Sequence, residues 1–277
     1  MLIKTTETRT LPVRNPITYP VHEGRKFVLT GGARGLGRAT AELLIAQGAR
    51  VALIDVLEDE LKTTAQELGG EAAGVYAVKG DLSDTTSIHQ AAARAIELLD
   101  GVDGLANIAG IVRHSNPLEI PAQDWDIQLK INLIGSYEFS RAVAKHLIET
   151  GRPGAIVNVA SEAGKVGHAE SLAYSASKAA VISQTRMLSA ALAYADINVN
   201  CVCPGGMPTK MLREVADAYS GKIGQAAEDI FDAMENEQVG RHIEVAEVAR
   251  VISFLLSDDA FAIRGQAINA DGGKTPY

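Results

Sequence analysis

The segment from Ser161 to Lys178 holds the residues best suited to do chemistry. Tyr174 and Lys178 stand four apart in Tyr174-Ser175-Ala176-Ser177-Lys178. On a helix that spacing stacks a phenol and an ammonium on one face. A neighbouring ammonium favours the phenolate, so the Tyr174 pKa is expected to fall from its ordinary value of about 10. A tyrosine tuned in this way passes protons near neutral pH. On its own the pair is more often two surface neighbours on a helix. The elements that would position it have to decide.

Those elements begin at Lys26. Lys26-Phe27-Val28-Leu29-Thr30 is a short apolar run and reads as a buried strand. Gly31-Gly32-Ala33-Arg34-Gly35-Leu36-Gly37 follows, and residues 38–47 read as a helix ended by Gly48. A glycine-rich turn between strand and helix gathers backbone N–H groups at a helix N-terminus, which suits a phosphate. Gly32 and Gly37 have the separation of a nucleoside-triphosphate loop, but Arg38 and Ala39 stand where Lys and Ser/Thr are needed. The G-x-G-x-x-G pattern starts at Gly35 and Gly37 and then meets Thr40. Thr30-Gly31-x-x-x-Gly35-x-Gly37 remains, and its setting favours a dinucleotide over a plain helix-start turn. Asp55 ends the next strand, twenty residues past Gly35. An acid there accepts hydrogen bonds from ribose hydroxyls and repels a 2′-phosphate, so NAD is expected rather than NADP. Val56 after it offers no charge for a 2′-phosphate, whereas Arg34 pulls modestly towards NADP.

Strands and helices alternate through the rest of the chain. Further strands are expected at 51–55, 74–78, 104–107, 155–159, 197–202 and 266–269. Helices are expected at 58–68, 85–99, 122–149 with a short break, 172–194 and 245–256. The pattern predicts an α/β fold: one Rossmann-type, doubly wound parallel sheet of about seven strands with helices on both faces. A single domain is expected over 25–277. Residues 1–24, with Pro12, Pro16 and Pro20, read as an appended arm that is either disordered or laid along a neighbouring subunit.

Composition narrows the partners. The 277 residues carry 26 Lys and Arg against 34 Asp and Glu, a net charge of −8. An acidic chain without a basic block is a poor match for nucleic acid or an anionic membrane. Apolar residues make up 47% and charged ones 22%, which marks a globular protein with a small-molecule partner. No apolar run reaches the length of a membrane span and no secretory leader is legible, so the cytoplasm is the default compartment. Cys201 and Cys203 lie two apart in an apolar run and read as buried, inert thiols rather than a disulfide framework or a zinc site. No metal is expected.

Taken together, these motifs resemble the short-chain dehydrogenase/reductase family, in its single-domain branch, from about Lys26 to Gly273. Thr30-Gly31-x-x-x-Gly35-x-Gly37 is similar to its cofactor loop, which makes Gly31, Arg34, Gly35, Leu36 and Gly37 cofactor candidates. The resemblance implies that Asp81 and Leu82 contact the adenine. Asn107-Ile108-Ala109-Gly110 resembles the family's Asn-Asn-Ala-Gly motif, with Ile108 as a mild departure, and adds Asn107, Ala109 and Gly110. Asn132 matches the catalytic asparagine. Ser161, thirteen residues before Tyr174, completes the set with Tyr174 and Lys178, which are also implied to touch the cofactor. Pro204, Gly205, Met207 and Thr209 fall in the segment that resembles the nicotinamide-binding stretch, and Asp271-Gly272-Gly273 resembles the family's close.

The implied chemistry is reversible hydride transfer between a secondary alcohol and NAD. Tyr174 moves the proton, Ser161 hydrogen-bonds the substrate oxygen, Lys178 tunes Tyr174, and Asn132 holds a water towards solvent. Ligands in such sheets sit beyond the carboxyl ends of the strands. Segments 111–117, 162–171 and 205–240 are therefore expected to shape the substrate pocket, the last as a lid or else as a fixed helical pair. His114, Glu162, Lys165, His168 and Met207 are candidate lining residues. A ketone or acyl-thioester reductase and a non-catalytic nicotinamide sensor stay open as alternatives. A homotetramer is implied by the resemblance alone.

Overall fold

The central strands are built to be buried on both sides. In the computed structural model, which describes Thr10, residues 20–236 and residues 238–275, β1 (Lys26–Thr30) turns Phe27 and Leu29 to one apolar layer and Val28 to the other. β2 (Arg50–Asp55), β3 (Val75–Lys79), β4 (Gly104–Asn107), β5 (Gly154–Val159), β6 (Ile197–Pro204) and β7 (Ala267–Ala270) complete the sheet. Its seven strands run in the order β3-β2-β1-β4-β5-β6-β7, and every neighbouring pair is parallel. Parallel strands need crossovers, and the helices of those crossovers cover both faces. On one face lie α1 (Gly35–Ala46), α2 (Glu58–Glu67) and the C-terminal helix Val245–Leu256. On the other lies α3 (Thr85–Leu99), beside a long helical stretch and α6 (Leu172–Leu192). The direction of winding reverses between β1 and β4, which opens a crevice at the carboxyl ends of those strands.

The long stretch is one helix with an altered middle. α4 (Ala122–Leu129) passes through a π-helical turn, Lys130–Gly135, into α5 (Ser136–Thr150). The break expected from sequence is thus a widened turn rather than an interruption. Gly135 is pressed against Leu82, where a Cβ would stand 2.8 Å from the Leu82 carbonyl oxygen. Single π turns inside α-helices are frequent at functional sites, and this one carries Asn132.

Beyond β6, α7 (Lys210–Ile223) and α8 (Ala227–Ala233) pack on each other around Ala216, Ile230 and Phe231. This small apolar cluster is separate from the layers that flank the sheet. α9 (Val245–Leu256) then returns the chain to the sheet through a capping box between Glu244 and Glu247.

Most of the arm expected over residues 1–24 lies outside the described residues. Its last four residues do not behave as an appendage. They form a turn in which the His22 N–H donates to the Gln47 carbonyl (3.0 Å) and the Gly24 N–H to the Gly48 carbonyl (2.9 Å). The His22 ring is fully buried, edge-on to Phe27 at 5.0 Å, with Nε2 3.1 Å from the Ser253 carbonyl oxygen and 3.2 Å from Ser253 Oγ. The body therefore begins before Arg25.

Burial, aided by the Arg25 charge, pushes the His22 pKa down to about 4. The unfolded chain takes up that proton near pH 6.5, the folded chain only near pH 4. Stability from this group is complete above the unfolded pKa and is lost as the pH falls towards the folded one. Urea unfolding is expected to show a loss of about 2 kcal/mol between pH 7 and pH 5. His22→Gln should flatten that slope, and an unchanged slope would refute the assignment.

Candidate active site

The crevice is assembled from backbone that lacks room for side chains. Thr30, at the end of β1, accepts through Oγ1 from the N–H groups of Ile108 (3.0 Å) and Ala109 (3.2 Å), which ties β1 to the loop after β4. A Cβ on Gly31 would lie 2.9 Å from Ala109, and one on Gly37 would lie 1.9 Å from the Gly31 carbonyl oxygen. The first turn of α1 can sit on the loop only without those side chains. Gly35, at φ +55°, would meet nothing nearer than the Thr209 methyl group at 3.7 Å. Its open side is where the loop faces the segment after β6.

Two side chains hold the loop from outside. Asp55 accepts from the N–H of Ala33 (3.1 Å) through Oδ2 and from that of Leu57 (3.1 Å) through Oδ1. Thr64 donates to the Ala33 carbonyl (2.6 Å). Each Asp55 oxygen keeps acceptor capacity for a hydroxyl. Arg34 precedes α1 with its guanidinium 3.5 Å from Glu60, and Leu36 is buried beneath the turn. A glycine cradle at a helix N-terminus, with an acid at the neighbouring strand end, fits a dinucleotide.

The remaining candidates line the same edge. Asp81 accepts from the Ser83 N–H (2.8 Å), and Leu82 is buried. Asn107 is buried, with Nδ2 within 3.0 Å of the Ser136 carbonyl, Ser140 Oγ and Asn158 Oδ1. It braces β4 against β5 and α5, while its Oδ1 is left without a partner. Ala109 and Gly110 continue past the Thr30 contact. A Cβ on Gly110 would come within 3.2 Å of both Asn132 Oδ1 and Lys178 Nζ, so the two groups share one corner. β6 ends at Pro204, and Gly205 donates to the Ala270 carbonyl (3.2 Å). Met207 packs on the core, and Thr209 caps α7 through Oγ1.

Asn132 uses both of its amide protons and one Oδ1 lone pair. Its Oδ1 accepts from the Ile111 N–H (2.8 Å), and its Nδ2 donates to the Ile111 carbonyl (3.0 Å) and to Ser177 Oγ (3.0 Å). Lys178 is buried and donates to the Val159 carbonyl (2.8 Å). Its Nζ lies 5.7 Å from the centroid of the Tyr174 ring. Ser161 sits in extended backbone just past β5 and accepts from the Ala163 N–H (3.1 Å), with Tyr174 close enough for Ser161 to act on its pKa.

The electrostatics correct one expectation. The Tyr174 pKa is raised, not lowered: burial dominates, the Ser161 hydrogen bond opposes it, and the Glu162 charge adds to it. Burial also pulls Lys178 down to about 8. The expectation treated the pair as helix-surface neighbours, where an ammonium acts on a solvated phenol. Here Lys178 is buried and Tyr174 is partly so, and burial penalises the charged form of each.

The strand-paired thiols are fully buried among Ala160, Val181 and Ile182. Hydrogen bonding to Cys203, then burial, pushes the Cys201 thiol up. Among the described residues no group of three His, Cys, Asp or Glu is placed to hold a metal ion. A cleft of about 240 Å³ lies at the opposite end of the sheet. Its arginines pair with aspartates, Arg25 with Asp258, Arg152 with Asp103 and Arg264 with Asp196. It contains none of the groups described above.

Of the lining candidates, Glu162 is buried, with Nε2 of His168 3.7 Å from its Oε1. His114 stands edge-on to Tyr219 at 5.6 Å. Lys165 reaches away to the Ala267 carbonyl (2.9 Å). The sequence names Thr30 only as the first residue of the loop motif, without a role of its own, and does not single out Ser177. Thr30 had a legible signal, a hydroxyl at the strand end directly before Gly31, whereas the Ser177–Asn132 contact spans 45 positions.

Asn132→Ala would leave the Ile111 backbone and Ser177 without their partners inside the protein. A loss of about 2–3 kcal/mol is expected in denaturant unfolding, and a loss below about 0.5 kcal/mol would show that the bonds are replaced.

A family model described as short chain dehydrogenase matches residues 25–220. The NAD-dependent glycerol dehydrogenase of Listeria innocua is 34% identical over 90% of this chain and 92% of its own length. The 3-oxoacyl-acyl-carrier-protein reductase of Thermotoga maritima is 33% identical over 91% of this chain and 98% of its own. The crystal structure of an actinorhodin polyketide ketoreductase with NADPH superposes with a TM-score of 0.86 at 32% identity, over 91% of this chain and 98% of that one. The loop, the Ser161–Tyr174–Lys178 cluster and these matches agree: the chain belongs to the short chain dehydrogenase family and is an oxidoreductase of that family.

Proposed function

We propose that this protein oxidises a secondary alcohol, polyol or cyclic alcohol with NAD, and that Tyr174 is the general base and acid. The observation that carries this reading is the meeting of Ser161, Tyr174, Lys178 and Asn132 at one corner beside the glycine-rich loop. When bound, NAD supplies the hydride acceptor. The nucleotide would be held by the loop at Gly31, Arg34, Gly35, Leu36 and Gly37, by Asp55 at the ribose and by Asp81 and Leu82 at the adenine. Asn107, Ala109 and Gly110 would border its middle, and Pro204, Gly205, Met207 and Thr209 its far end.

In oxidation Tyr174 takes the hydroxyl proton, and in reduction it returns one to the carbonyl oxygen. Burial makes Tyr174 a weaker acid than free tyrosine, so deprotonation depends on positive charge held beside it. Lys178 supplies part of that charge, fixed by the Val159 carbonyl. Ser161 hydrogen-bonds the substrate oxygen and steadies its charge. Asn132 secures the loop at Ile111 and, with Lys178, borders the route of the proton to solvent.

NAD is preferred because Asp55 and the neutral Val56 disfavour a 2′-phosphate, and because Arg34 is drawn to Glu60. NADPH-dependent reduction of a ketone or acyl thioester is the second reading, favoured by Arg34 in the loop and by the reductases among the relatives. A nicotinamide sensor would have no use for the proton-handling groups. Residues 205–240 act as a lid over the substrate, a role supported by the separate apolar cluster of α7 and α8 and by their tether to the body through Lys222 and Glu170 (3.1 Å). Exposed Tyr137 and Ile148 on α5 and Met187 on α6 support helix pairing in a homotetramer. Among the described residues no helix is long and apolar enough to cross a membrane, in keeping with a cytoplasmic enzyme.

An alcohol panel with NAD and NADP, followed by nicotinamide absorbance, tests the reading. Tyr174→Phe is expected to lower turnover by about a hundredfold or more while NADH still binds; near-normal turnover would refute the role. Asp55→Asn should shift the NADP/NAD ratio of kcat/KM upward by about tenfold.

A further inference from the structure

Tyr174 faces titratable groups from three elements. Lys178 shares α6 with it, Cys203 approaches from β6, and Glu162 from the turn after β5. That turn is fastened to both ends of the Tyr174–Lys178 helical turn. A Cβ on Gly164 would stand 2.7 Å from the Lys178 carbonyl carbon. His168, whose Nε2 lies 3.7 Å from Glu162 Oε1, donates its backbone N–H to Ser175 Oγ (3.2 Å). Glu162 itself is 7% exposed. Burial is the main cause of the raised Tyr174 pKa, and the Glu162 charge adds to it. An anion in this place opposes the phenolate.

Lys274 answers that anion from the other end of the chain. Its Nζ donates to Glu162 Oε1 at 2.8 Å, across 112 positions. The segment that carries it is pinned. Asp271 accepts from the N–H groups of Gly273 (3.0 Å) and Thr275 (2.9 Å). Asn236 donates to the Asp271 carbonyl (2.5 Å) and Gln238 to the Gly273 carbonyl (2.6 Å). The ammonium is therefore delivered to a fixed place, and a pair made with a buried carboxylate is screened less than a surface pair. Burial pushes the Glu162 pKa up, but His168 and Lys274 outweigh it and the net shift is downward. Imidazoles are uncharged in the alkaline range where phenols ionise. There the cation that faces Glu162 is Lys274.

We propose that Lys274 is a positioning residue for the reaction: by neutralising Glu162 it eases the loss of the Tyr174 proton, so the segment after β7 sets the pH at which the site works. This inference rests on the reading above in which Tyr174 is the base and acid, and it adds a residue from outside the Ser161–Tyr174–Lys178 cluster. Without the ammonium, Glu162 opposes the phenolate in full. Without the carboxylate that opposition is gone, and the ammonium has little left to cancel.

The test follows Tyr174 ionisation by tyrosinate absorbance with NAD bound, taking the difference from Tyr174→Phe. It compares the wild type with Lys274→Met, Lys274→Arg, Glu162→Gln and the double variant Glu162→Gln/Lys274→Met. Lys274→Met is expected to move the midpoint up by about half a pH unit or more, and Glu162→Gln to move it down by about as much. Lys274→Arg keeps the charge and should stay near the wild type, and the double variant should follow Glu162→Gln. The pH profile of kcat/KM, taken with NAD on the alcohol of the panel that turns over fastest, should move in the same directions. A merely structural Lys274 would leave the midpoint in place in Lys274→Met, whether or not activity falls at every pH, and that result overturns the inference. So does a midpoint that moves the same way in Lys274→Met and Glu162→Gln. The base role of Tyr174 survives both results. A wild type with no ionisation that Tyr174→Phe removes overturns that role and this inference together.

Discussion

The burial of the Lys178 ammonium constrains everything around it. An unpaired buried charge is among the most costly features a protein can contain. Here one backbone carbonyl, that of Val159, receives the ammonium, and burial draws the pKa down to about 8. That carbonyl must point off the end of β5, so the strand has to stop there and the Ser161 turn has to begin. Gly110 must lack a side chain, since a Cβ would crowd Nζ and Asn132 Oδ1 alike. Gly164 must lack one for a parallel reason, since a Cβ would strike the Lys178 backbone. The loops after β4 and β5 are thus both shaped by the same α6 residue.

Asn132 extends that constraint across the molecule. The widened helical turn lets one side chain reach the Ile111 backbone and Ser177 together. Those bonds join the β4 loop, the α4–α5 helix and α6. The cofactor half of the crevice obeys a different rule. There the chain is held open by absent side chains at Gly31 and Gly37 and by Thr30, which clasps two backbone N–H groups. Rigid backbone on one side and buried polar groups on the other meet where the winding of the sheet reverses, which is where ligands bind in such folds.

Electrostatics in this corner depend on depth more than on sequence distance. Tyr174 and Lys178 are neighbours in the way their spacing implies, yet each is driven towards its neutral form. Glu162 belongs to the same balance. Its charge is kept by His168 and by Lys274 from the far end of the chain, and it pushes the Tyr174 pKa up. His22 shows the same physics at the opposite layer, where a histidine from an apparent arm is buried against Ser253.

The sequence by itself determined the sheet and the order of its parts. Apolar runs bounded by glycine and spaced by amphipathic segments leave little alternative to parallel strands with crossover helices, and the match of α3 and α9 to their expected limits follows from that periodicity. It also marked the glycine loop and Asp55 by their offsets from element ends, Tyr174 and Lys178 by their spacing, and Ser161 through the family resemblance. Only the tertiary structure decided what those groups experience. The engagement of Asn132, the bracing role of Asn107 and the inclusion of His22 in the body depend on partners 21 to 231 positions away, and the direction of the Tyr174 shift depends on burial. Glu162 is the clearest case. Local sequence marks it as one polar residue in a loop, and its ion pair exists only because residue 274 is folded against it. Desolvation and long-range pairing are properties of three-dimensional packing, and no local pattern encodes them.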